Sequence, residues 1–173
     1  MAQIVMRVVS GRFRGTRLDA VSGDKTRPTT DKVKEAMFSM LTPYLNGGEV
    51  LDLYAGTGGL SIEAVSRGMA HATLVDRQFQ AIKVIQNNIE KTHDIAAFTV
   101  IKSPAKQALE KFALARQQFD LVFLDPPYAK ETLRGDMRYM AENQLLAPQA
   151  IILVESDDDA NLPQEDQNFM IIQ

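Results

Sequence analysis

Four residues that could present an amine for methyl transfer follow a predicted strand. Asp125, Pro126, Pro127 and Tyr128 come directly after the apolar run Phe119–Leu124, which is typical of a buried parallel strand. Open α/β sheets bind their ligands at the carboxyl ends of such strands. A planar exocyclic amine is a poor nucleophile because its lone pair is delocalised into the ring, and two acceptors aimed at its hydrogens can localise that lone pair. The spacing therefore predicts methyl transfer to an amine of this kind.

Within this tetrapeptide each residue has a separate predicted role. The Asp125 carboxylate and the Pro126 carbonyl are the candidate acceptors, and the two prolines fix φ and remove competing donors. Tyr128 could stack on the face of the base, a contact worth roughly 1–3 kcal/mol. An ordinary proline-stiffened loop between strand and helix is the alternative, and the Pro-Pro pair alone favours it.

A glycine-rich motif upstream changes that balance. Residues 50–59 run from an apolar strand through Gly56-Thr57-Gly58 into a predicted helix. Dinucleotide-binding enzymes use a similar turn, but with a third glycine for close helix packing, and here that position holds Ser61. Asp76 ends the next predicted strand about 20 residues beyond the first glycine, where an acidic side chain can accept hydrogen bonds from ribose hydroxyls. The motif therefore predicts a nucleoside site without a pyrophosphate.

The ligand that fits this site better than NAD is S-adenosylmethionine (AdoMet), which has a ribose and a methionine tail. The missing third glycine and the additional carboxylate of Asp52, which suits a cationic ligand, both favour AdoMet. For Asp76 taken alone, a solvated turn residue is an equal alternative. The candidate cofactor residues in this part of the chain are Asp52, Tyr54, Ala55, Gly56, Thr57, Gly58, Asp76 and Arg77.

The two motifs together resemble the AdoMet-dependent methyltransferases of the RsmD family, which modify the exocyclic N2 of a guanine in bacterial 16S ribosomal RNA. Residues 27–38 (Arg-Pro-Thr-Thr-Asp-Lys-Val-Lys-Glu-Ala-Met-Phe) look like the signature that precedes the AdoMet domain in that family. The resemblance extends from residue 7 to residue 156. It implies that Gly56, Gly58 and Asp76 hold AdoMet and that residues 125–128 present the target amine.

The chain departs from the family pattern at two places. Relatives carry an Asp or Asn that reaches the adenine amine where this chain has Pro104, so Ser103 or the backbone N–H of Ala105 is expected to make that contact. The family also ends in a β-hairpin, whereas this chain has one strand-like run there, residues 169–172. We therefore expect either that the chain is truncated here or that the methyltransferase domain lacks the family's last strand and leaves a sheet edge exposed.

Alternating apolar segments predict an α/β fold with a doubly wound, Rossmann-like parallel sheet. We expect a small N-terminal β-hairpin and helix extension over residues 1–46 and the AdoMet-binding methyltransferase domain over residues 47–173. Predicted strands lie near residues 49–54, 71–76, 97–102, 119–125 and 149–155, and predicted helices near 58–67, 78–92, 105–115 and 131–146. In the first helix, residues 30 to about 45, a helical repeat predicts a core face away from Lys32 and Lys34; it consists of Val33, Met37, Met40, Leu41 and Tyr44.

Basic charge is concentrated at the N-terminus. Residues 1–34 carry eight basic and three acidic side chains, net +5, whereas the remainder carries 11 basic and 19 acidic ones, net −8. This asymmetry predicts an arm that contacts RNA. Phe13 could stack on an RNA base, although packing against the main domain is the favoured alternative. The candidate RNA-binding residues are Arg7, Arg12, Arg14, Arg17 and Arg27.

Composition excludes several other classes of site. The chain has no cysteine, so it has neither disulfides nor the cysteine nucleophile used for methylation at pyrimidine C5. Its two histidines, His71 and His93, are too few and too isolated for a zinc site, and we expect no metal. The sequence contains no apolar run of the length of a membrane span, and we expect a soluble, cytoplasmic monomer.

The most specific hypothesis is an AdoMet-dependent enzyme that methylates guanine N2 in 16S rRNA, within the small ribosomal subunit. The guanine rests on the family resemblance, because the residues alone fit adenine N6 in DNA or RNA, or a protein glutamine, equally well. A non-catalytic RNA-binding assembly factor is an alternative from a different class. An NAD oxidoreductase is disfavoured by Ser61 and by the lack of a proton-relay histidine near the predicted pocket.

Overall fold

A computed structural model of the protein describes residues 6–21, 31–126, 130–155 and 169–172. Five α-helices and eight strands alternate along most of this length. In the described ranges, no helix is both long and apolar enough to cross a membrane. In chain order the elements are β1 (Met6–Arg7), β2 (Arg17–Leu18), α1 (Asp31–Leu41), β3 (Glu49–Asp52), α2 (Gly59–Ser66), β4 (His71–Asp76), α3 (Phe79–Glu90), β5 (Phe98–Lys102), α4 (Ala105–Leu114), β6 (Phe119–Leu124), α5 (Lys130–Glu142), β7 (Leu146–Glu155) and β8 (Phe169–Ile172).

The main sheet has six strands in the order β5-β4-β3-β6-β7-β8, and every neighbouring pair is parallel. From β3 the chain first builds outward through β4 to β5, then returns to the other side of β3 with β6. The strand order therefore reverses between β3 and β6, and ligands bind at such a switch point in open α/β sheets. The predicted doubly wound parallel sheet is confirmed.

Helices cover both faces of this sheet because alternate strand residues point to opposite sides. Val50 of β3 packs in a core with the apolar side chains of α1, α2 and α3. Leu51, the next residue, packs in a second core with α4 and α5. Asp52 belongs to the same side as Val50, so its carboxylate faces α2.

The bounds of most elements follow the predicted ones. α1 ends at Leu41, about four residues before its predicted end, and the other large difference lies between α5 and β7. The helix ends at Glu142 and the strand begins at Leu146, three residues earlier than predicted. Leu146 pairs with Phe119, and the register then shifts before Leu121 pairs with Ile151. Pro148 lies in this irregular stretch of β7; proline cannot donate to a strand ladder, and the register shift accommodates it.

The predicted core face of α1 is wrong in part. Met37 and Leu41 are buried as expected, but Val33, Met40 and Tyr44 are exposed. Phe38 and Lys34 are buried instead. The Lys34 Nζ donates to the backbone carbonyl of Arg7 at 2.8 Å and lies 3.5 Å from Glu63 Oε1. Lys34 therefore belongs to the buried face of α1, and hydropathy alone cannot show that a lysine will find such partners.

The predicted N-terminal hairpin is present and packs on α2. Its strands pair antiparallel, with Met6 opposite Leu18. Gly11 has a φ of +93°, and a Cβ there would lie 2.0 Å from the Ser66 carbonyl oxygen, so only glycine fits this approach. The Ser66 hydroxyl donates to the Ser10 carbonyl at 2.7 Å and accepts from the Phe13 N–H at 2.9 Å. The hairpin is therefore fixed to the C-terminal end of α2.

Phe13 is buried and packs against Phe98, with 6.4 Å between the ring centroids. The favoured interpretation, packing against the main domain, is confirmed. The side chains of Met6, Val8 and Leu18 share the core cluster of α2 and α3. The hairpin and the main sheet therefore share one core. The division of the chain into two regions at residue 46 stays a prediction.

Candidate active site

Three carboxylates lie at the carboxyl ends of three neighbouring strands. Asp52 ends β3, Asp76 ends β4, and Asp125 follows β6 directly. Asp52 is in register with Leu74 on one side and Phe123 on the other, so the parallel sheet places all three acids at one edge. The negative charges of Asp76 and Asp125 contribute to the raised pKa of Asp52. This cluster occupies the switch point of the fold.

Asp52 is buried, and its Oδ2 accepts a hydrogen bond from the Ser61 hydroxyl at 2.8 Å. Burial raises the pKa of Asp52 from 3.8 to about 7; the Ser61 hydrogen bond opposes this shift and the two other carboxylates add to it. Among the described residues, no ammonium or guanidinium forms an ion pair with Asp52. Ser61, which occupies the position of the third glycine in dinucleotide-binding turns, is therefore a partner of the buried acid.

The glycine turn connects the first two carboxylates. The Gly56 N–H donates to Asp76 Oδ2 at 3.0 Å, and the Ala55 N–H donates to the Val75 carbonyl at 2.9 Å. Gly58 has a φ of +80°, and a Cβ there would lie 3.1 Å from a methyl group of Leu74. A Cβ on Gly56 would meet no atom within 4 Å. The turn therefore packs tightly at Gly58 and leaves open space beside Asp76.

Asn88 of α3 holds the middle of this turn, a role that the sequence patterns did not predict. Its Nδ2 donates to the Thr57 carbonyl at 2.9 Å and to the Asp19 carbonyl at 3.0 Å, and its Oδ1 accepts from the Asp19 N–H at 2.7 Å. The side chain is fully buried. The available signal was a single polar residue on the apolar face of α3, beside Ile85 and Ile89. Asn88 thus joins the end of the hairpin to the predicted cofactor turn.

A second link runs from this turn to α5. The Tyr54 hydroxyl donates to Asp136 Oδ2 at 2.5 Å. Burial raises the pKa of Tyr54, with further contributions from the Asp136 hydrogen bond and charge; burial also raises the pKa of Asp136, opposed by the Tyr54 hydrogen bond. No sequence motif indicated Asp136. Because α5 follows the predicted target loop, this bond connects the cofactor side of the site to the target side.

The predicted adenine contacts border Asp76 on its other side. The Ser103 N–H donates to the Asp76 carbonyl at 3.0 Å, and its hydroxyl donates to the Pro104 carbonyl at 2.9 Å. Ala105 is the first residue of α4, so its N–H is among those that a helix leaves without an intrahelical acceptor. Arg77 is exposed beside Asp76. The structure thus brings these three residues to the same sheet edge as the glycine turn.

The predicted target loop is described in part. Asp125 is exposed and Pro126 is half-buried, immediately beyond the end of β6. Pro127 and Tyr128 lie outside the described residues, so stacking by Tyr128 stays a prediction.

The predicted RNA-binding arginines fall into two groups. Arg7 pairs with Asp31 at 2.7 Å, and Arg12 pairs with Asp94 at 2.6 Å while its guanidinium lies 4.3 Å from the centre of the Phe13 ring. Arg14 and Arg17 are exposed, and in the described ranges no acidic side chain pairs with them. Arg27 lies outside the described residues.

A cavity of about 460 Å³ lies at the opposite edge of the sheet, far from the three carboxylates. It is lined by residues near the amino ends of the strands, including Glu49, His71 and Thr99. Both ring nitrogens of this histidine contact polar groups of the protein: His71 Nδ1 lies 2.7 Å from Glu49 Oε2 and Nε2 lies 2.9 Å from Thr99 Oγ1. Ligands of this fold bind at the carboxyl edge, so the carboxylate cluster is the stronger candidate site.

Comparison with known proteins identifies the family of the chain. The family model "Conserved hypothetical protein 95" matches residues 6–173. YlbH of Bacillus subtilis, which carries a provisional name as an rRNA methyltransferase, is 43% identical over 159 residues, covering 92% of this chain and 86% of YlbH. Ribosomal RNA small subunit methyltransferase D of Escherichia coli is 32% identical over 166 residues, covering 96% of this chain and 82% of that protein.

A solved structure agrees with the sequence relatives. The structure of YhhF from Escherichia coli, provisionally described as a methyltransferase, superposes with a TM-score of 0.78 at 33% identity, covering 92% of this chain and 84% of that one. The family model, the relatives and the fold point the same way, and the chain belongs to the RsmD family of methyltransferases.

Proposed function

We propose that this protein transfers a methyl group from AdoMet to the exocyclic N2 of a guanine in 16S ribosomal RNA. The observation that carries the proposal is the meeting of Asp52, Asp76 and Asp125 at the switch point of the sheet. The relative from Escherichia coli named as a small subunit methyltransferase supports the choice of substrate.

The residues at the sheet edge fit AdoMet. Asp76 can accept hydrogen bonds from ribose hydroxyls, and Gly56 leaves open space beside it. The buried carboxylate of Asp52 favours a cationic ligand, because a nearby positive charge stabilises its ionised form. When bound, AdoMet supplies an electrophilic methyl group on a sulfonium centre.

Asp125 has the chemical role in this proposal. Its carboxylate accepts a hydrogen bond from the target NH₂ group, which orients the nitrogen and localises its lone pair. After transfer the nitrogen is strongly acidic, and the same carboxylate can take its proton. Positioning of the two reactants supplies most of the remaining rate enhancement. The target base is flipped out of its stack, and Tyr128 stacks on it.

The N-terminal region, residues 1–46, serves as the RNA-contacting extension of the methyltransferase domain in this proposal. Exposed Arg14 and Arg17 supply its phosphate contacts. Its attachment to α2 supports this role, because a fixed hairpin can position RNA relative to the cofactor site.

The test is nucleoside mass spectrometry of small ribosomal subunits that lack the modification, and of RNA stripped from them, after incubation with the protein and AdoMet. We expect a new N2-methylguanosine signal from at least one of the two. If neither substrate is methylated while calorimetry shows AdoMet binding, the acceptor is a different amine, such as adenine N6 or a glutamine amide. If AdoMet does not bind either, the protein acts as a non-catalytic assembly factor.

A further inference from the structure

Phe79 is an exposed aromatic residue with two lysines near its ring. It is the first residue of α3, and 61% of its surface is exposed. The Lys83 Nζ lies 5.6 Å from the centre of its ring and the Lys102 Nζ lies 5.7 Å from it. Both distances are within the range of a cation–π interaction. The ring is therefore exposed beside two ammonium groups, whereas most large aromatic side chains are buried.

Two different elements create this arrangement. Lys83 lies four residues after Phe79 on α3, so the helix places both on the same face. Lys102 ends the neighbouring strand β5 and is in register with Asp76 of β4. The cluster of Phe79, Lys83 and Lys102 therefore sits at the carboxyl edge of the sheet, beside the predicted ribose-binding carboxylate.

The surroundings of the ring are positively charged, although the chain beyond residue 34 carries a net charge of −8. Arg77 and Lys106, near the ends of β4 and β5, are also exposed. The carboxylate of the half-buried Asp76 accepts hydrogen bonds from the N–H groups of Gly56 and Gln78. A polyanion with flat rings complements such a surface.

We infer that Phe79, Lys83 and Lys102 form a binding site for a single-stranded segment of the RNA substrate, in which a base stacks on the ring and the ammonium groups contact its phosphates. Base–aromatic stacking combined with basic side chains is how proteins hold single-stranded nucleic acid without reading its sequence. The inference rests on the proposed function. It adds a second RNA contact at the active-site edge, separate from the arginines of the N-terminal hairpin.

The test measures RNA affinity separately from methylation. A fluorescein-labelled single-stranded RNA oligonucleotide is titrated with wild type and variants by fluorescence anisotropy, and AdoMet affinity is measured by calorimetry. We expect Phe79→Ala to weaken RNA binding about 5- to 150-fold, the equivalent of roughly 1–3 kcal/mol for one stacked base. Phe79→Tyr should retain wild-type affinity, because its ring can stack equally well. AdoMet affinity should stay unchanged in both variants.

The lysines are tested through salt dependence. Lys83→Ala and Lys102→Ala should each reduce the slope of log K against log salt by about 0.7, the value for one phosphate contact with single-stranded nucleic acid. Ile95→Ala is the matched control for Phe79, because Ile95 is also 61% exposed and precedes β5 at the opposite edge of the sheet. Lys111→Ala, on the exposed surface of α4, is the control for the lysines.

Unchanged RNA affinity in Phe79→Ala would overturn the inference. If AdoMet affinity falls in the same variant, the ring is a wall of the cofactor site instead. Failure of the proposed function gives a different result, since RNA affinity is measured without turnover and the methylated product is measured by mass spectrometry.

Discussion

At the scale of single residues, the three carboxylates of the site differ in environment. Asp52 is buried with a serine hydroxyl as its partner, Asp76 accepts two backbone N–H groups, and Asp125 is exposed at the start of the target loop. Backbone donors stabilise an ionised carboxylate, whereas burial opposes ionisation. This difference assigns separate tasks to the three acids: electrostatic attraction, ribose binding and contact with the amine.

Binding of AdoMet should depend on pH through Asp52. In the free protein the pKa of Asp52 is raised by burial to about 7, and a bound cation lowers it again. Binding therefore releases a proton below about pH 7, and affinity should fall by up to about tenfold per pH unit as the pH decreases from there. Calorimetry between about pH 5.5 and 7.5 measures this. Asp52→Asn should give a flat profile, and a flat wild-type profile would contradict the prediction.

The same shift affects the stability of the ligand-free protein. The pKa of Asp52 in the folded protein lies above its ordinary value of 3.8. Its favourable contribution to the free energy of unfolding is therefore complete below about pH 3.8 and is lost as the pH rises through about 7. Asp52→Asn should therefore raise the free energy of unfolding relative to wild type most clearly above pH 7. Urea denaturation at pH 6 and pH 8 measures the difference, and a variant equally less stable at both values would argue against burial of an ionised group.

Asp125→Ala should reduce kcat about 100- to 10,000-fold, the range for loss of a general base, while AdoMet affinity stays nearly unchanged. Single-turnover methylation and calorimetric titration measure the two quantities. The matched comparison is Asp76→Ala, which should weaken AdoMet binding. An equal loss of kcat and AdoMet affinity in Asp125→Ala would make Asp125 mainly a cofactor residue.

At the scale of elements, the hairpin, α1, α2 and α3 are joined by buried polar groups. Glu63 of α2 is fully buried and accepts from the N–H groups of Val9 and Ser10 at 2.9 and 3.1 Å. Arg67 pairs with it at 2.8 Å, and Lys34 of α1 lies 3.5 Å away. Buried charges persist only when they are paired and hydrogen-bonded. These contacts fix the hairpin relative to the helix that follows the cofactor turn.

Removal of the buried Glu63 side chain should lower the free energy of unfolding far more than removal of the exposed Glu35 side chain. Arg67 pairs with both Glu63, which is buried, and Glu35, which is exposed. Glu63→Ala should lower the free energy of unfolding by about 3–5 kcal/mol, because it leaves Lys34 without its charged partner and two backbone N–H groups without their acceptor. Glu35→Ala should cost less than about 1 kcal/mol. Urea denaturation compares them, and equal effects would refute the role given to burial.

Asn88 should couple the hairpin to the cofactor turn. Asn88→Ala leaves the Thr57 carbonyl and both backbone groups of Asp19 without their partner, so we expect a loss of about 1–3 kcal/mol in stability and weaker AdoMet binding. Asn87→Ala, at the adjacent exposed position, is the control and should change neither. Stability from urea denaturation and affinity from calorimetry are both required. A loss of stability with unaltered AdoMet affinity would show that the turn does not need this anchor.

At the scale of the whole molecule, the charge asymmetry of the sequence is partly neutralised by folding. Of the basic residues in the N-terminal region, Arg7, Arg12 and Lys34 have acidic partners, whereas Arg14 and Arg17 are exposed. Counterion release on RNA binding depends on cations that are free to meet phosphates. The net charge of the N-terminal region therefore overestimates its electrostatic contribution to RNA binding.

Arg14→Ala and Arg17→Ala should each reduce the slope of log K against log salt for RNA binding by about 0.7–0.9. Arg12→Ala is the comparison and should change the slope less, because Asp94 already pairs with its guanidinium. Fluorescence anisotropy at several salt concentrations measures the slopes. Equal effects of all three substitutions would mean that the pair with Asp94 opens when RNA binds.

Local patterns in the sequence determined the order and type of the elements and the residues at their ends. Strand β4, His71–Asp76, and the glycine turn after β3 could be predicted because their signals are local. An apolar run favours a strand within itself, and glycines favour a turn at their own positive-φ positions. The parallel sheet then follows from the alternation of strands and helices, and it places Asp52, Asp76 and Asp125 at one edge. The proximity of these three acids could therefore be predicted from the amino-acid sequence.

Only the tertiary structure decided which polar side chains are buried and with which partners. Lys34 and Glu63 lie 29 positions apart in the sequence, and Tyr54, in the turn after β3, meets Asp136 of α5 across the site. Hydropathy predicts such residues to be exposed, because the cost of burying a charge is offset only by a partner that folding brings from elsewhere. The arginines of the hairpin differ for the same reason. Folding brings Asp94 next to Arg12 and not next to Arg14, so only Arg12 is paired with it.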